Sequence, residues 1–147
     1  TAGGLEIGYR HLVWASGGTP YRLGCEGGDL AGVHTIRCRA DVDALRADLA
    51  GAERVAVVGG GYIGLEAAAV LRKLGKQVVL IEATERLLSR VAGAPVGDFF
   101  AAEHRAHGVE VRTGATLTRI AGASGRVAGV VLAGGEEVAA DLVVVGI

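Results

Sequence analysis

Residues 54–66 read Arg54-Val-Ala-Val-Val-Gly-Gly-Gly-Tyr-Ile-Gly-Leu-Glu66, and they decide how the chain folds. Arg54–Val58 is a β-branched run of a length that suits a buried strand. Gly59-Gly60-Gly61 follow at once. Ile63–Leu74 is rich in Leu and Ala and predicts a helix, with Gly75 placed to stop it. Gln77–Ile81, Gln-Val-Val-Leu-Ile, is a second buried strand. Strand, helix and strand within about 30 residues make a βαβ unit with a right-handed crossover.

Gly59, Gly61 and Gly64 form G-x-G-x-x-G. Such a pattern is weak alone, but here it leaves a strand, opens a helix and has an acid, Glu82, 18 residues after Gly64. Gly59 permits the tight turn, Gly61 lets a pyrophosphate approach the backbone, and Gly64 lets the helix pack close to the sheet. The helix N-terminus adds free N–H groups and about half a positive charge. Glu82 can accept hydrogen bonds from ribose hydroxyls and repel a 2′-phosphate, which favours NAD over NADP. Glu85 adds a negative charge nearby, and Arg86 and Arg90 are the residues able to offset it. Glu66 has two readings, a partner of the helix N-terminus or a polar hook in a cofactor cleft.

Outward from this unit, Arg10–Gly17 reads as a strand ending in a glycine turn, and residues 18–32 as a connector. Val33–Ile36 is a short strand. Asp41 is placed to cap a helix with Val42, Leu45 and Leu49 on one face, ended by Gly51. A helix from Pro95 to His107 stops at Gly108 and leads into a third strand of the unit, Val109–Arg112. Thr116–Ile120, Arg126–Leu132 and Glu136–Ala139 form an antiparallel meander with a Gly134-Gly135 turn. Asp141–Ile147 is a final strand suited to burial on both faces. The expected fold is α/β: a Rossmann-like parallel sheet flanked by helices, with a small antiparallel β-meander.

The 147 residues suit one domain, and half are hydrophobic, which argues against disorder. A net charge of -1 speaks against a nucleic-acid binder and gives no sign of a membrane-surface patch. No apolar run approaches the roughly 18 residues of a membrane span. Cys25 and Cys38 lie 13 apart, neither a metal nor a redox spacing, and read as reduced thiols of a cytoplasmic protein. His104 and His107 share a helix face but lack a third ligand, so no metal site is expected. With no Met at position 1, the chain is expected to be part of a longer protein.

Gly59–Glu66 resembles the NAD-binding motif of the two-dinucleotide flavoprotein reductases. Leu12–Pro20 is similar to that superfamily's A-T-G-x-x-P segment, with Ser16 in place of Thr. Within it, Val33–Leu49, Glu85–Val91 and Pro95–Gly114 resemble the putidaredoxin reductase and oxygenase-coupled ferredoxin reductase family. The resemblance implies that residues 1–22 end an FAD-binding domain and cross over, and that 23–147 form an NAD-binding domain. It implies NAD contacts from Gly59, Gly60, Gly61, Tyr62, Ile63, Gly64, Glu66, Glu82, Ala83, Arg90 and Gly146. Tyr62 would cover the nicotinamide pocket, Glu66 contact the carboxamide, and Arg90 contact the NAD phosphate or ribose. Ala15, Ser16, Gly17 and Arg37 would face FAD.

The implied function is an NADH-dependent, FAD-containing oxidoreductase that passes electrons singly to an iron–sulfur ferredoxin-type carrier. The chain alone would bind NAD without turnover, and no residue is needed as a catalytic acid or base. A related disulfide-, peroxide- or oxygen-reducing flavoenzyme, or a non-catalytic dinucleotide-binding module, are the alternatives.

Overall fold

Two sheets, seen in a computed structural model that describes residues 3–147, share one layer of side chains. The elements in chain order begin with β1 (Val33–Thr35), α1 (Arg39–Leu49), β2 (Arg54–Val58), α2 (Tyr62–Lys73) and β3 (Gln77–Ile81). They continue with α3 (Ala94–Ala106), β4 (Val109–Arg112), β5 (Leu117–Ala123), β6 (Arg126–Leu132), β7 (Glu137–Ala139) and β8 (Leu142–Val145). The five-stranded sheet has the order β1-β8-β2-β3-β4, and all its pairings are parallel. The three-stranded sheet, β5-β6-β7, is antiparallel. The expected α/β architecture with a meander is therefore present.

The unbroken apolar strands follow from burial on both faces. Val55 and Val57 of β2 join Leu65, Leu71 and Leu80 in a core beneath the helices. Their neighbours Ala56 and Val58 point the other way, into a second core with Ile120, Val127, Val130 and Leu132 of the meander. Period-two alternation thus survives inside an all-apolar strand. The last strand, β8, lies between β1 and β2, with Val143, Val144 and Val145 each at most 4% exposed.

Helix ends obey local chemistry. α2 stops at Gly75, whose φ of 79° is the left-handed C′ conformation. α3 carries Pro95 in its first turn and is followed by Gly108 at φ 82°. Asp41 caps α1 differently from the expectation. The N-cap is Cys38, and Asp41, three residues on, reaches back to accept from the Cys38 and Arg37 amides at 2.9 and 2.8 Å. Those hydrogen bonds, from Cys38 first, hold its carboxyl below the usual range.

The expected strand at Arg10–Gly17 does not form: Glu6–Gly24 holds neither helix nor strand. Leu12, Val13 and Trp14 are largely exposed in this chain. Thr1 and Ala2, the start of the 1–22 segment, lie outside the described residues. β5 extends three residues beyond the expected Ile120, into a tight turn at Ser124-Gly125. Among the described residues no helix is long and apolar enough to cross a membrane.

Candidate functional site

β2 and β8 are neighbours where the chain order reverses in the sheet, and the carboxyl ends of strands at such a point are where open α/β sheets form a ligand crevice. Gly59 leaves β2 with φ 109°, a conformation that side chains oppose, and its amide donates to the Ile81 carbonyl at 2.8 Å. Gly146 donates to the Val58 carbonyl at 2.8 Å, so the end of β8 is tied to the same turn. A Cβ on Gly64 would lie 1.9 Å from the Gly59 oxygen, and one on Gly146 would lie 2.7 Å from the Gly64 nitrogen. The helix start, the turn and β8 thus meet backbone to backbone. A Cβ on Gly61 would meet the Gly146 carbonyl oxygen at 3.7 Å, an ordinary van der Waals contact, so this position is less crowded than the other two.

A cleft opens over this turn. Of the expected NAD contacts, Gly59, Gly60, Gly61, Tyr62, Glu82, Arg90 and Gly146 line it together. Gly64 is buried behind it, and Ile63, Glu66 and Ala83 are exposed outside its lining. Glu66 sits past the first turn of α2, so pairing with the helix N-terminus is not its role. Tyr62 stands at the mouth, 60% exposed.

Glu82 is half-buried at the end of β3 and makes three hydrogen bonds. Its Oε2 accepts from the Gly60 amide at 2.6 Å, and its Oε1 accepts from the Thr84 amide at 2.8 Å and hydroxyl at 2.7 Å. Burial pushes this carboxyl up, but the Thr84 and Gly60 donors and the Arg90 charge outweigh it and hold it below the usual range. The residue is a fixed negative charge at neutral pH.

The loop after β3 supplies lining residues that sequence reasoning missed: Leu88, Ser89 and Val91. Leu88 adopts φ 55° and donates its amide to the Gly60 carbonyl at 2.9 Å, which folds this loop over the glycine turn. A left-handed Leu costs about 1–2 kcal/mol, and no local residue signal marked the position. Ile147 completes the lining. Arg86, expected as a possible counter-charge, is committed elsewhere: its guanidinium donates to the Ala92 and Ser89 carbonyls at 2.6 and 3.4 Å. Glu85 turns toward Gly114, away from the cleft.

Ala15, Ser16, Gly17 and Arg37 are exposed, outside this cleft. A Cβ on Gly17 would lie 3.4 Å from the Arg37 guanidinium, so those two residues are neighbours. His104 is buried between helices, its Nε2 3.1 Å from the Leu65 carbonyl of α2 and its Nδ1 2.9 Å from the Phe100 carbonyl. His107 is exposed and bonds the Glu103 carbonyl. Among the described residues no cluster of three His, Cys, Asp or Glu is placed to hold a metal ion, and Cys25 and Cys38 are free thiols.

Residues 1–147 match the model of the pyridine nucleotide-disulphide oxidoreductase family. A ferredoxin–NAD(P)(+) reductase of a Sphingomonas species is 53% identical over 146 residues, covering 99% of this chain and 35% of the relative. The ferredoxin reductase subunit of a 5,5′-dehydrodivanillate O-demethylase from a Sphingobium strain is 57% identical over 148 residues, covering 100% and 36%. Among solved structures, the ferredoxin reductase for the CYP199A2 system of Rhodopseudomonas palustris superposes with a TM-score of 0.91 at 36% identity. It covers 99% of this chain and 36% of that one. The chain thus spans about a third of the length of the curated relatives it matches.

Proposed function

We propose a role that starts from one premise: the chain belongs to the pyridine nucleotide-disulphide oxidoreductase family. In this reading residues 23–147 are the NAD(H)-binding domain of an FAD-containing reductase, and residues 1–22 end its FAD-binding domain. The observation that carries it is the Glu82 carboxylate, held ionised against the glycine turn at the end of β3. The names of the relatives, ferredoxin reductases, support a ferredoxin-type electron acceptor for the whole protein, and in this reading that carrier holds an iron–sulfur centre.

The residues fit a dinucleotide. Gly61 lines the cleft without a side chain and is the N-cap of α2, so a pyrophosphate can approach the backbone at a helix N-terminus. Glu82 receives a ribose hydroxyl, and Arg90 balances the phosphate charge from the cleft rim. Gly146, flush with the glycine turn, leaves the nicotinamide side without a side chain. Tyr62 covers the mouth and moves aside for the nicotinamide, and Glu66 holds its carboxamide. Ala15, Ser16, Gly17 and Arg37 face FAD, with the Arg37 cation beside Gly17 suited to a phosphate. When both cofactors are bound, they supply hydride transfer from nicotinamide to flavin and one-electron delivery to the carrier. The chain contributes position and electrostatics.

Calorimetric titration of the full-length protein with NADH and NADPH tests this. NADH is expected to bind more tightly, and Glu82→Ala to weaken it about tenfold or more, as loss of a hydrogen bond to a charged group does. Tighter NADPH binding would mean that Arg90 governs the ribose pocket and that the electrostatic argument fails. Absence of a flavin spectrum in the full-length protein would favour a binding module without turnover.

A further inference from the structure

We propose that Thr84 is a positioning residue for nucleotide discrimination: it locks the Glu82 carboxylate in the orientation that grips the glycine turn and leaves one lone pair for a ribose hydroxyl. The inference rests on the reading of the cleft as an NAD(H) site. An ionised carboxylate offers about four acceptor positions. Gly60 takes one on Oε2, and the amide and hydroxyl of Thr84 take both on Oε1. The remaining position lies on Oε2, the oxygen bonded to the cleft-lining Gly60.

The Thr84 hydroxyl has one proton and two acceptors in reach, Glu82 Oε1 at 2.7 Å and the Arg86 carbonyl at 2.9 Å. The charged, closer acceptor takes it. The Ser89 hydroxyl, 3.0 Å away, then donates to Thr84 Oγ1. A relay of donors therefore runs from Ser89 through Thr84 to Glu82, whose other oxygen holds the Gly60 amide. Carboxylate torsions are broad and soft when nothing pins them. Without the Thr84 hydroxyl, Oε1 keeps a single donor and the group can turn. NADH then loses a fixed acceptor for its ribose. NADPH loses part of the repulsion on its 2′-phosphate. The residue follows the acid by two positions, outside the glycine pattern, and only the path of the loop brings its side chain back.

The test compares the full-length wild-type protein with Thr84→Val and Thr84→Ser, titrated calorimetrically with NADH and with NADPH. The valine variant is expected to bind NADH about fivefold to tenfold more weakly, less than removing the carboxylate does, because the acceptor stays but is no longer held in place. Its NADPH affinity should change by less than about twofold, so the preference itself falls, and the serine variant should restore it. Equal weakening for both nucleotides, an unchanged ratio, or failure of serine to restore it would overturn the proposal. Thr84 is exposed, so Thr84→Ala supplies the same comparison if the valine variant does not fold. A wild-type protein that binds neither nucleotide would instead sink the reading of the cleft, and Thr84's role with it.

Discussion

Val58–Glu66 and Glu6–Gly24 both mix apolar side chains with glycines, yet only the first closes on its neighbours. In the glycine turn, backbone bonds run from Gly59 to Ile81, from Leu88 to Gly60, from Leu65 to Gly61 and from Gly146 to Val58. In the other segment, Val13 and Trp14 stand 85% and 82% exposed. The difference lies in where the partners come from. A glycine turn is specified by the absence of side chains at a few positions, a property each residue carries with it. A strand is specified by a second strand, and Leu12-Val13-Trp14 has none beside it.

Gly64→Ala should break the contrast most severely. Its new methyl group would sit 1.9 Å from the Gly59 carbonyl oxygen, and backbone cannot swing away as a side chain can. The expected loss is about 3 kcal/mol in urea unfolding, after any gain in helix propensity, together with loss of NADH binding. A variant as stable as wild type would show that the turn is not the rigid region described.

His104→Ala comes next. This imidazole ties α3 to the Leu65 carbonyl behind the glycine turn and is 8% exposed. A loss of about 2 kcal/mol is expected from the cavity and the missing bond. Amide exchange should report faster opening of the first turns of α2, and unchanged exchange there would confine the effect to α3.

Asp141 anchors the opposite end of the sheet. Hydrogen bonding from Arg54, offset by some burial and aided by the Arg54 and Glu53 amides, lowers its pKa from 3.8 to about 2. A carboxyl lowered by folding stabilises above its ordinary pKa, and that stability is lost as pH falls through the folded value. Partial solvent exposure reduces the gain, and Asp141→Asn should cost about 1 kcal/mol at pH 7. The gap between variant and wild type should close as the pH is brought from about 4 to about 2. A gap independent of pH would assign the effect to the amide bonds alone.

The smallest effect belongs to the open segment. Trp14→Ser should shift the stability of this chain by less than about 0.5 kcal/mol. Trp14 is the sole tryptophan of these 147 residues, so in this chain its fluorescence reports on that segment alone. Acrylamide should quench it nearly as well as free indole in the chain by itself. Protection of Trp14 in the full-length protein, with every other tryptophan replaced by phenylalanine, would show that a further domain covers the segment, as the proposed division at residue 22 requires.

The βαβ unit, the helix stops at Gly75 and Gly108 and the meander were legible as periodicity and glycine placement. Of the site, the glycine turn, Glu82 and Arg90 were legible as a motif, and they do share one cleft. Thr84, Leu88 and Ser89 were not. Their places depend on a loop that bends back over Gly60, and polar residues in irregular loops have no period to read. Arg86 misled for the same reason: proximity in sequence to Glu82 suggested a counter-charge, but its guanidinium braces the loop's own carbonyls. Asp41 was read as the cap itself, because an aspartate suits the N-cap and can also reach back from N3, and Cys38 carries no cap signal.

By itself the sequence determined the local units: which runs extend, where helices begin and stop, and which glycines must lack a side chain. Steric exclusion and hydrophobic period act within a few residues, so they are written in the order of those residues. The tertiary structure alone decided that β8 enters between β1 and β2, and how Glu82 spends its lone pairs. Each of these depends on hydrogen-bond partners distant in sequence or brought close only by a loop's path, and such partners exist only once the chain has packed.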